Sequence, residues 1–241
     1  MAFVSGQQAR ILLGARTFSG ETTKVSSGFV VDQLETTVIT NTAKTFIVGQ
    51  NTSTLNVDMN LDTDTTAGGQ WATLTGTYKQ TTPLPMSFAP SGTTALAEVW
   101  LTSSNMVSLA PATSVAGIAT ISLASQSTGD TDFGTVLEDL STVTVTVNGT
   151  ARDLVAASAN GGVAHLHVTA YATSTSDVIT IEHSTTGVGA WSTLGTFATV
   201  TGTTSERLVI APGTTVNRYL RVVDTVTVTG SITRQISFCR R

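Results

Sequence analysis

Three histidines are the side chains of this sequence best suited to hold a metal ion. His165 and His167 are two residues apart in a stretch that is typical of a strand, so both would leave the same face of a sheet. His183 is a third imidazole that could approach them across the sheet, and zinc is commonly held by imidazole nitrogens. The alternation favours another interpretation, in which Leu166 and Val168 enter the core and His165 and His167 face solvent or a neighbouring subunit. We therefore predict that the chain holds no metal.

A second set of side chains has the chemistry of a calcium site. It consists of four acidic or amide residues that alternate along one predicted strand face: Asp58, Asn60, Asp62 and Asp64. An EF-hand loop needs glycine at its sixth position and glutamate at its twelfth, and this sequence has Thr63 and Gly69 there. The pattern is therefore more typical of an acidic edge that is solvated or faces a lumen.

The segment GDTDFG at 129–134 is a third candidate. Asp130, Asp132 and Gly134 resemble a short cation-binding turn. A turn in which an aspartate side chain bonds the backbone explains the same residues without an ion. The sequence leaves both interpretations open.

Motifs of catalysis are missing from the sequence. It contains no G-x-S-x-G elbow, no Walker A loop, no G-x-G-x-x-G after a strand and no H-E-x-x-H. Serines are so frequent that none of them identifies a Ser, His and Asp set. We therefore predict a protein that is not an enzyme and uses no cofactor.

Aromatic residues make up only 6% of the chain, which disfavours a groove of stacking platforms for sugars or single-stranded nucleic acid. Trp71, Trp100 and Trp191 each stand among apolar neighbours in a predicted strand. Core packing is the expected role of all three. A surface contact with a sugar is kept as an alternative for Trp191.

The composition favours β structure. The 241 residues suffice for two cores or for one large all-β domain, and 21 glycines against 5 prolines supply many tight turns. Charged residues are 12% of the chain and hydrophobic residues 40%. Much of the surface must therefore be hydroxyl rather than ionic, which suits faces that pack against copies of the same chain.

The charge and the cysteine content further restrict the kind of protein that this sequence can be. The formal net charge is −4, and residues 1–140 hold 5 basic and 11 acidic residues against 7 and 5 in residues 141–241. Nucleic-acid binding is not expected, because it requires clustered cations. The lone Cys239 allows no disulfide within the chain. We expect no cleaved leader and no membrane-spanning segment.

The strand pattern is interrupted by one predicted helix. Thr40 and Asn41 are good N-caps, and Ala43, Phe46 and Ile47 fall on one helical face. Predicted strands precede and follow this helix, at 33–39 and 55–61, and further short strands continue to 238. The prediction is an all-β chain of two β-sandwich domains, 1–140 with one short flanking helix and 141–241 with a jelly-roll-like order.

Residues 3–140 resemble the major tail tube proteins of long-tailed bacteriophages, in the versions found in actinobacterial phages. The resemblance rests on LETTVITNTAKTFIVG, STLNVDMNLD, TTPLPMSFAPSG, AEVWLTSSNMVSLAPATSVAGIATISLASQSTG and DTDFGTVLEDL. It implies a structural virion protein whose domain 1–140 assembles as hexameric rings that stack into a tail tube. DNA would pass through without specific binding, with Asp58, Asp62 and Asp64 facing the lumen. The implied partners are other copies, the tape measure and the terminator, and the implied location is the virion tail, after assembly in the host cytoplasm.

Residues 141–241 resemble galactose-binding-like jelly rolls that are appended to such proteins. EHSTTGVGAWSTLGTF and NRYLRVV carry this resemblance. It implies an outward-facing decoration domain that either binds a host glycan, with Trp191 as the sugar contact, or only decorates the surface. The calcium loop and the exposed aromatic cluster of that superfamily are missing. The alternative function is a capsid or tail decoration protein that binds host surface carbohydrate.

Overall fold

The fold is described from a computed structural model, which covers residues 8–38, 43–62, 64, 69–78, 80–113, 115, 117–172, 176–227 and 230–241. Within these residues the chain forms sixteen strands and one helix. In chain order they are β1 Arg10–Leu13, β2 Arg16–Thr17, β3 Thr22–Glu35, β4 Phe46–Asn60, α1 Gln70–Thr77, β5 Leu84–Ala89, β6 Glu98–Ala112, β7 Thr120–Ser127, β8 Asp132–Val143, β9 Val147–Asn148, β10 Arg152–Asp153, β11 Gly162–Ala172, β12 Asp177–Ser184, β13 Ser192–Thr196, β14 Thr204–Ile210, β15 Tyr219–Val226 and β16 Ser231–Arg240. The all-β prediction with one short helix is confirmed.

The chain folds into two compact units that alternate along the sequence. Unit 1 comprises Met1–Gly20, Leu84–Thr102 and Asp132–Arg241, and unit 2 comprises Glu21–Pro83 and Ser103–Thr131. These limits differ from the expected division after residue 140. The reason is that β8 passes through Leu140 without a break and pairs with β16, near the other end of the sequence.

Unit 1 is a β-sandwich. Its first sheet has the order β14-β11-β16-β8-β6-β5-β1-β2, and its second has the order β10-β15-β12-β13, with β9 also paired to β15. Alternate side chains of β11, such as Leu166, and of β15, such as Val222, belong to one buried cluster between the sheets. This is the arrangement that period-two burial of Val, Ile and Leu produces.

The second face of β11 and β16 is buried as well. Val163, His165 and His167 have no exposed surface, and Cys239 of β16 packs with Val99 and Leu101 of β6. Burial on both faces explains why β11 has seven consecutive buried residues, from Gly162 to Val168.

Unit 2 is built on a four-stranded antiparallel sheet in the order β3-β4-β7-β6, to which β6 contributes its residues from 103 onward. One face is apolar: Val57 lies opposite Leu123 and Met59 opposite Ile121, and all four are buried. Helix α1 lies beside this face, because the Gln70 side chain contacts the sulfur of Met59 and bonds the carbonyl of Asn60 at 2.9 Å.

The helix was predicted at the wrong place. Phe46 and Ile47 belong to β4, where they lie opposite Glu35 and Leu34, and Ala43 lies in a bend. The expected caps Thr40 and Asn41 lie outside the described residues. The apolar spacing there serves a long hairpin, whose cross-strand pairs replace the contacts of a helical face.

Candidate assembly surface

The unit 2 sheet has an edge strand on each side. Among the described residues β3 pairs with β4 alone, over twelve positions from Thr22 to Glu35. The part of β6 from Ser104 to Ala112 pairs with β7 and forms the other edge. An edge strand presents backbone N–H and C=O groups that another chain can pair with.

The far half of the β3–β4 hairpin extends beyond the sheet. The partner strand β7 reaches β4 only from Thr54 to Asn60, so residues 28–35 and 46–53 form a two-stranded ribbon. This ribbon and the residues 36–38 and 43–45 that continue it are here called the arm. The arm exposes many large apolar side chains to solvent, namely Phe29, Val30, Val31, Leu34, Val38, Phe46 and Ile47. A two-stranded ribbon is marginal by itself in water, and these side chains gain little from folding of the single chain.

The three predicted lumen residues do not share one strand face. Asp58 lies on the polar face of β4, where its carboxylate accepts a hydrogen bond from Ser122 Oγ at 2.6 Å. Since β4 ends at Asn60, Asp62 and Asp64 follow in a turn, in which the Asp62 carboxylate accepts the N–H of Asp64 at 3.0 Å. The expected common face is therefore wrong for these two, and their exposure to a lumen stays a prediction.

Negative charge is concentrated in unit 2. Its segments hold seven acidic and three basic residues, a formal charge of −4, whereas unit 1 holds nine of each. Among the described residues of unit 2 the basic side chains are Lys24, in β3, and Lys44, which precedes β4. Negative charge at a protein surface is repelled by the phosphates of DNA.

The cation-binding interpretation of residues 129–134 is wrong for Asp132. Its carboxylate is 7% exposed and accepts hydrogen bonds from Arg241 at 2.8 and 3.0 Å and from Arg207 at 3.4 Å. The Asp130 carboxylate accepts the side-chain amide of Asn51 at 3.2 Å. A metal ion at Asp132 would have to displace two guanidinium groups that already neutralise it.

The expectation that His165 and His167 face solvent is also wrong. Both imidazoles are fully buried. His167 Nδ1 donates to the carbonyl of Gly14 at 2.8 Å, so its Nε2 accepts the hydroxyl of Ser87 at 2.7 Å. Ser87 Oγ then accepts from His165 Nδ1 at 3.3 Å, which leaves His165 Nε2 without a partner among the described residues.

This chain of hydrogen bonds is a structural element of unit 1. It joins β11 to β5 and to the turn between β1 and β2, and His183 takes no part in it, because His183 Nδ1 accepts the backbone N–H of Asn217. A serine beside a histidine can act as a nucleophile with its base, but Ser87 is 0% exposed in this structure. No group of three or more His, Cys, Asp or Glu in the described ranges could hold a metal ion.

Burial of the histidines should weaken unit 1 in acid. Desolvation lowers the pKa of His167 to about 4, and desolvation, His167 and Arg207 together lower the pKa of His165 well below its usual value. Between pH 6.5 and pH 4 the histidines of the unfolded chain therefore bind protons that they do not bind in the folded chain. The free energy of unfolding decreases as the pH is lowered through this range. For His167 alone the loss is about 3 kcal/mol.

The test is a comparison of two pH profiles of the free energy of unfolding, for the wild type and for His167→Asn, whose amide can still donate to Gly14. The comparison is needed because Asp177 acts in the opposite sense. Its pKa is raised to about 6 by burial and by Asp224, so protonation of Asp177 stabilises the folded chain as the pH falls below 6. We expect the variant to lose less stability than the wild type between pH 7.5 and pH 4, and parallel profiles would contradict this.

Trp191 is half-buried, with the Arg221 guanidinium 4.5 Å above its ring centre. Arg221 is held there by Glu182 through a bond of 2.7 Å. One ring face is therefore covered by a cation, and a sugar could stack only on the other. The sugar contact stays a prediction.

The exposed apolar arm was not predicted from the sequence, although the sequence contains a signal for it. Phe29, Val30 and Val31 are three consecutive apolar residues in a strand that is otherwise polar. On a strand with one buried face such a run is unexpected. It places apolar side chains on both faces of the strand, which is typical of a surface that contacts a partner.

No protein-family model and no curated protein matches this sequence. Within the described residues no helix has the length and hydrophobicity to cross a membrane.

Several solved structures are similar in fold. A chain in the virion of a native gene transfer agent particle has 14% identity and a TM-score of 0.46, over 54% of this chain and 98% of that chain. A chain of the anti-feeding prophage cap, a tube-terminating cap, has 14% identity and a TM-score of 0.44, over 56% and 93%. The Dit protein of phage SPP1, from the adsorption hub of phages that infect Gram-positive hosts, has 8% identity and a TM-score of 0.40, over 96% and 99%.

Proposed function

We propose that this chain is a structural subunit of a phage tail tube, and that unit 2 forms the wall around the DNA conduit. The observation that carries the proposal is the four-stranded sheet of unit 2, with an edge strand on each side and one apolar face beside α1. The resemblance of residues 3–140 to tail tube proteins points to the same role. The protein acts by assembly and performs no chemistry.

Strand direction allows copies of this sheet to join edge to edge. All three pairings in the order β3-β4-β7-β6 are antiparallel, so β3 and β6 run in opposite directions. Placing β3 of one copy beside β6 of the next therefore continues the antiparallel alternation. The contact is heterologous, and it closes into a ring when the rotation between copies permits. Closure removes both exposed edges.

Six copies are the number that the family resemblance implies. With four strands from each copy the ring has 24 strands, and at ordinary strand spacing and tilt its backbone is about 50 Å across. A ring of this width leaves room for duplex DNA after side chains are added.

The polar face of the sheet, with Asp58, is placed toward the lumen, because the apolar face beside α1 must stay covered. Asp62 and Asp64 lie at the end of β4 and add to the negative charge near one rim. A wall without clustered cations lets DNA slide, since it displaces few counterions from the phosphates. Residues 141–241 are the proposed outward-facing part, and tape measure and terminator proteins are the proposed partners along and at the end of the tube.

Electron microscopy of the purified protein, combined with light scattering, tests this proposal. We expect rings or short tubes with a central channel, at concentrations where the mass corresponds to several copies. Monodisperse monomers at high concentration, with binding to cell-wall glycans through the Trp191 region, would instead identify a decoration protein.

A further inference from the structure

We propose that the arm of one copy docks in an apolar pocket on unit 1 of another copy and so joins successive rings. This inference rests on the proposed function and adds the contact that links one ring to the next. The arm provides the apolar insert, and the pocket provides the receiving surface.

The pocket is an open cavity of about 410 Å³ within unit 1. It is lined by Leu96, Phe133, Gly134, Thr135, Asp153, Leu154, Val155, Phe238 and Arg240. Three of its apolar walls are largely exposed in the single chain: Leu96 at 44%, Phe133 at 58% and Val155 at 79%. An apolar cavity with exposed apolar walls is the usual form of a recognition site.

Two of these walls are held in a strained backbone conformation. Leu96 has φ 69° and Val155 has φ 72°, a region that residues with a β-carbon rarely adopt. The Leu96 N–H donates to the Val136 carbonyl at 2.7 Å, and the Val155 N–H donates to the Asp153 carboxylate at 2.8 Å. Backbone of this kind costs about 1 to 3 kcal/mol at each site, and at both sites the side chain is exposed. Such strain is typical of positions that meet a ligand or a partner.

The apolar surface continues beyond the pocket along the sheet. Trp100 lies edge-on to Phe133 at 6.0 Å between ring centres and to Phe88 at 5.0 Å. Aromatic anchors of this kind dominate the energetics of protein interfaces. The pocket and these rings together offer room for a segment longer than one side chain.

The pocket carries a positive charge. Arg240 donates to the carbonyls of Leu154, Ala156, Asn217 and Arg218, and none of these partners is a carboxylate. The other charged wall, Asp153, is neutralised by Arg218 through two bonds of 2.7 and 2.6 Å. An occupant with apolar side chains and one negative charge would fit this site.

The arm has this composition. Leu34 and Ile47 lie directly opposite each other and are 56% and 53% exposed. The exposed Asp32 lies at the irregularity two residues before Leu34. The remaining pair of charges there cancels, because Lys44 bonds Glu35 at 3.1 Å. Asp32 therefore gives the arm a net negative charge that complements Arg240.

The geometry of the chain makes a second copy the occupant. Every copy carries both the insert and the receiving pocket, and a contact between two different surfaces of the same chain repeats in an open series when its rotation does not close into a ring. The eight residues 46–53 of the arm span about 26 Å, so the arm reaches well past the sheet from which it starts. A ring of six such arms would contact the adjacent ring at six equivalent pockets.

Reciprocal charge substitutions test the contact. Ile47→Lys and Val155→Glu should each reduce the fraction of protein in stacked tubes at least tenfold while single rings persist. The lysine would meet the like charge of Arg240, and the glutamate would neutralise Arg240 and repel Asp32. The two together should restore at least half of the stacking. Val188→Glu is the matched control, since Val188 is 77% exposed but does not line the pocket. Stacking by Val155→Glu equal to that of Val188→Glu would overturn the inference.

A cross-linking experiment does not depend on disrupting the fold. In a Cys239→Ser background, Ile47→Cys combined with Val155→Cys should give a ladder of disulfide-linked chains on a non-reducing gel. Ile47→Cys combined with Val188→Cys should not. Rings that form without a ladder in the first double variant would contradict the arm contact alone, whereas the absence of any ring or tube from the wild type would contradict the proposed function itself.

Discussion

Proline at one of two adjacent positions of β3 should abolish ring formation and leave the subunit folded. In an antiparallel edge strand successive N–H groups alternate between the paired strand and the open edge. Ser26 lies opposite Asn56 and Ser27 opposite Leu55, so one of Ser26→Pro and Ser27→Pro removes an N–H that β4 uses. The other proline variant removes an N–H that points to the open edge and can bond only a neighbouring copy. Its pyrrolidine ring also obstructs the approach of that copy's strand.

The readouts are thermal unfolding and light scattering. We expect the outward-facing proline to keep a melting temperature within a few degrees of the wild type and to remain monomeric, with rings reduced at least a hundredfold. Ser26→Ala and Ser27→Ala keep both N–H groups and should assemble normally. If both proline variants fold and form rings as the wild type does, edge pairing through β3 is wrong.

Replacing Arg234 by Met should remove a large part of the stability of unit 1. Arg234 is 2% exposed and Asp224 is 0% exposed, and they share two hydrogen bonds of 3.0 and 2.6 Å. Removal of the guanidinium leaves a buried carboxylate without its counter-charge, which costs about 3 to 5 kcal/mol. Asp177 increases the effect, since the pKa of its own buried carboxyl is raised by Asp224 and lowered by Arg234. The loss is a large part of the roughly 5 to 15 kcal/mol that a typical domain possesses.

Urea unfolding at pH 7 measures the loss of free energy of unfolding, and two further variants show whether it comes from the buried ion pair. Arg234→Met with Asp224→Leu should recover most of the stability, because an apolar pair of similar volume avoids the cost of desolvating the two charges. Arg218→Met removes the solvent-exposed ion pair with Asp153 and should cost much less. A loss in Arg234→Met no larger than that in Arg218→Met would show that the buried pair does not stabilise unit 1.

The class of fold was predictable from the sequence because it depends on local pattern. Alternation of Leu55, Val57 and Met59 with polar residues fixes a strand with one buried face, and the structure buries all three. The helix was not predictable. Gln70–Thr77 has the sequence QWATLTGT, whose threonines and glycine are weak helix formers. It forms because Gln70 and Leu74 are buried in unit 2, which is a tertiary effect.

The environment of the histidines was unpredictable for a related reason. The spacing of His165 and His167 correctly places them on one face of β11, but the spacing cannot show what covers that face. Here β5 and the β1–β2 turn supply Ser87 and Gly14, which are 78 and 153 residues away in sequence from the histidines they bond. Contacts of that separation leave no local trace, and the same holds for the discontinuous limits of the two units.

Contact between copies of unit 2 is measured directly by cryo-electron microscopy of assembled tubes or virions. We predict a map in which β3 of one copy lies beside residues 103–112 of β6 in the next, within hydrogen-bond distance, with Asp58 on the channel side of a continuous antiparallel wall. A particle in which copies of this chain stand apart, or touch only through unit 1, would contradict the proposal.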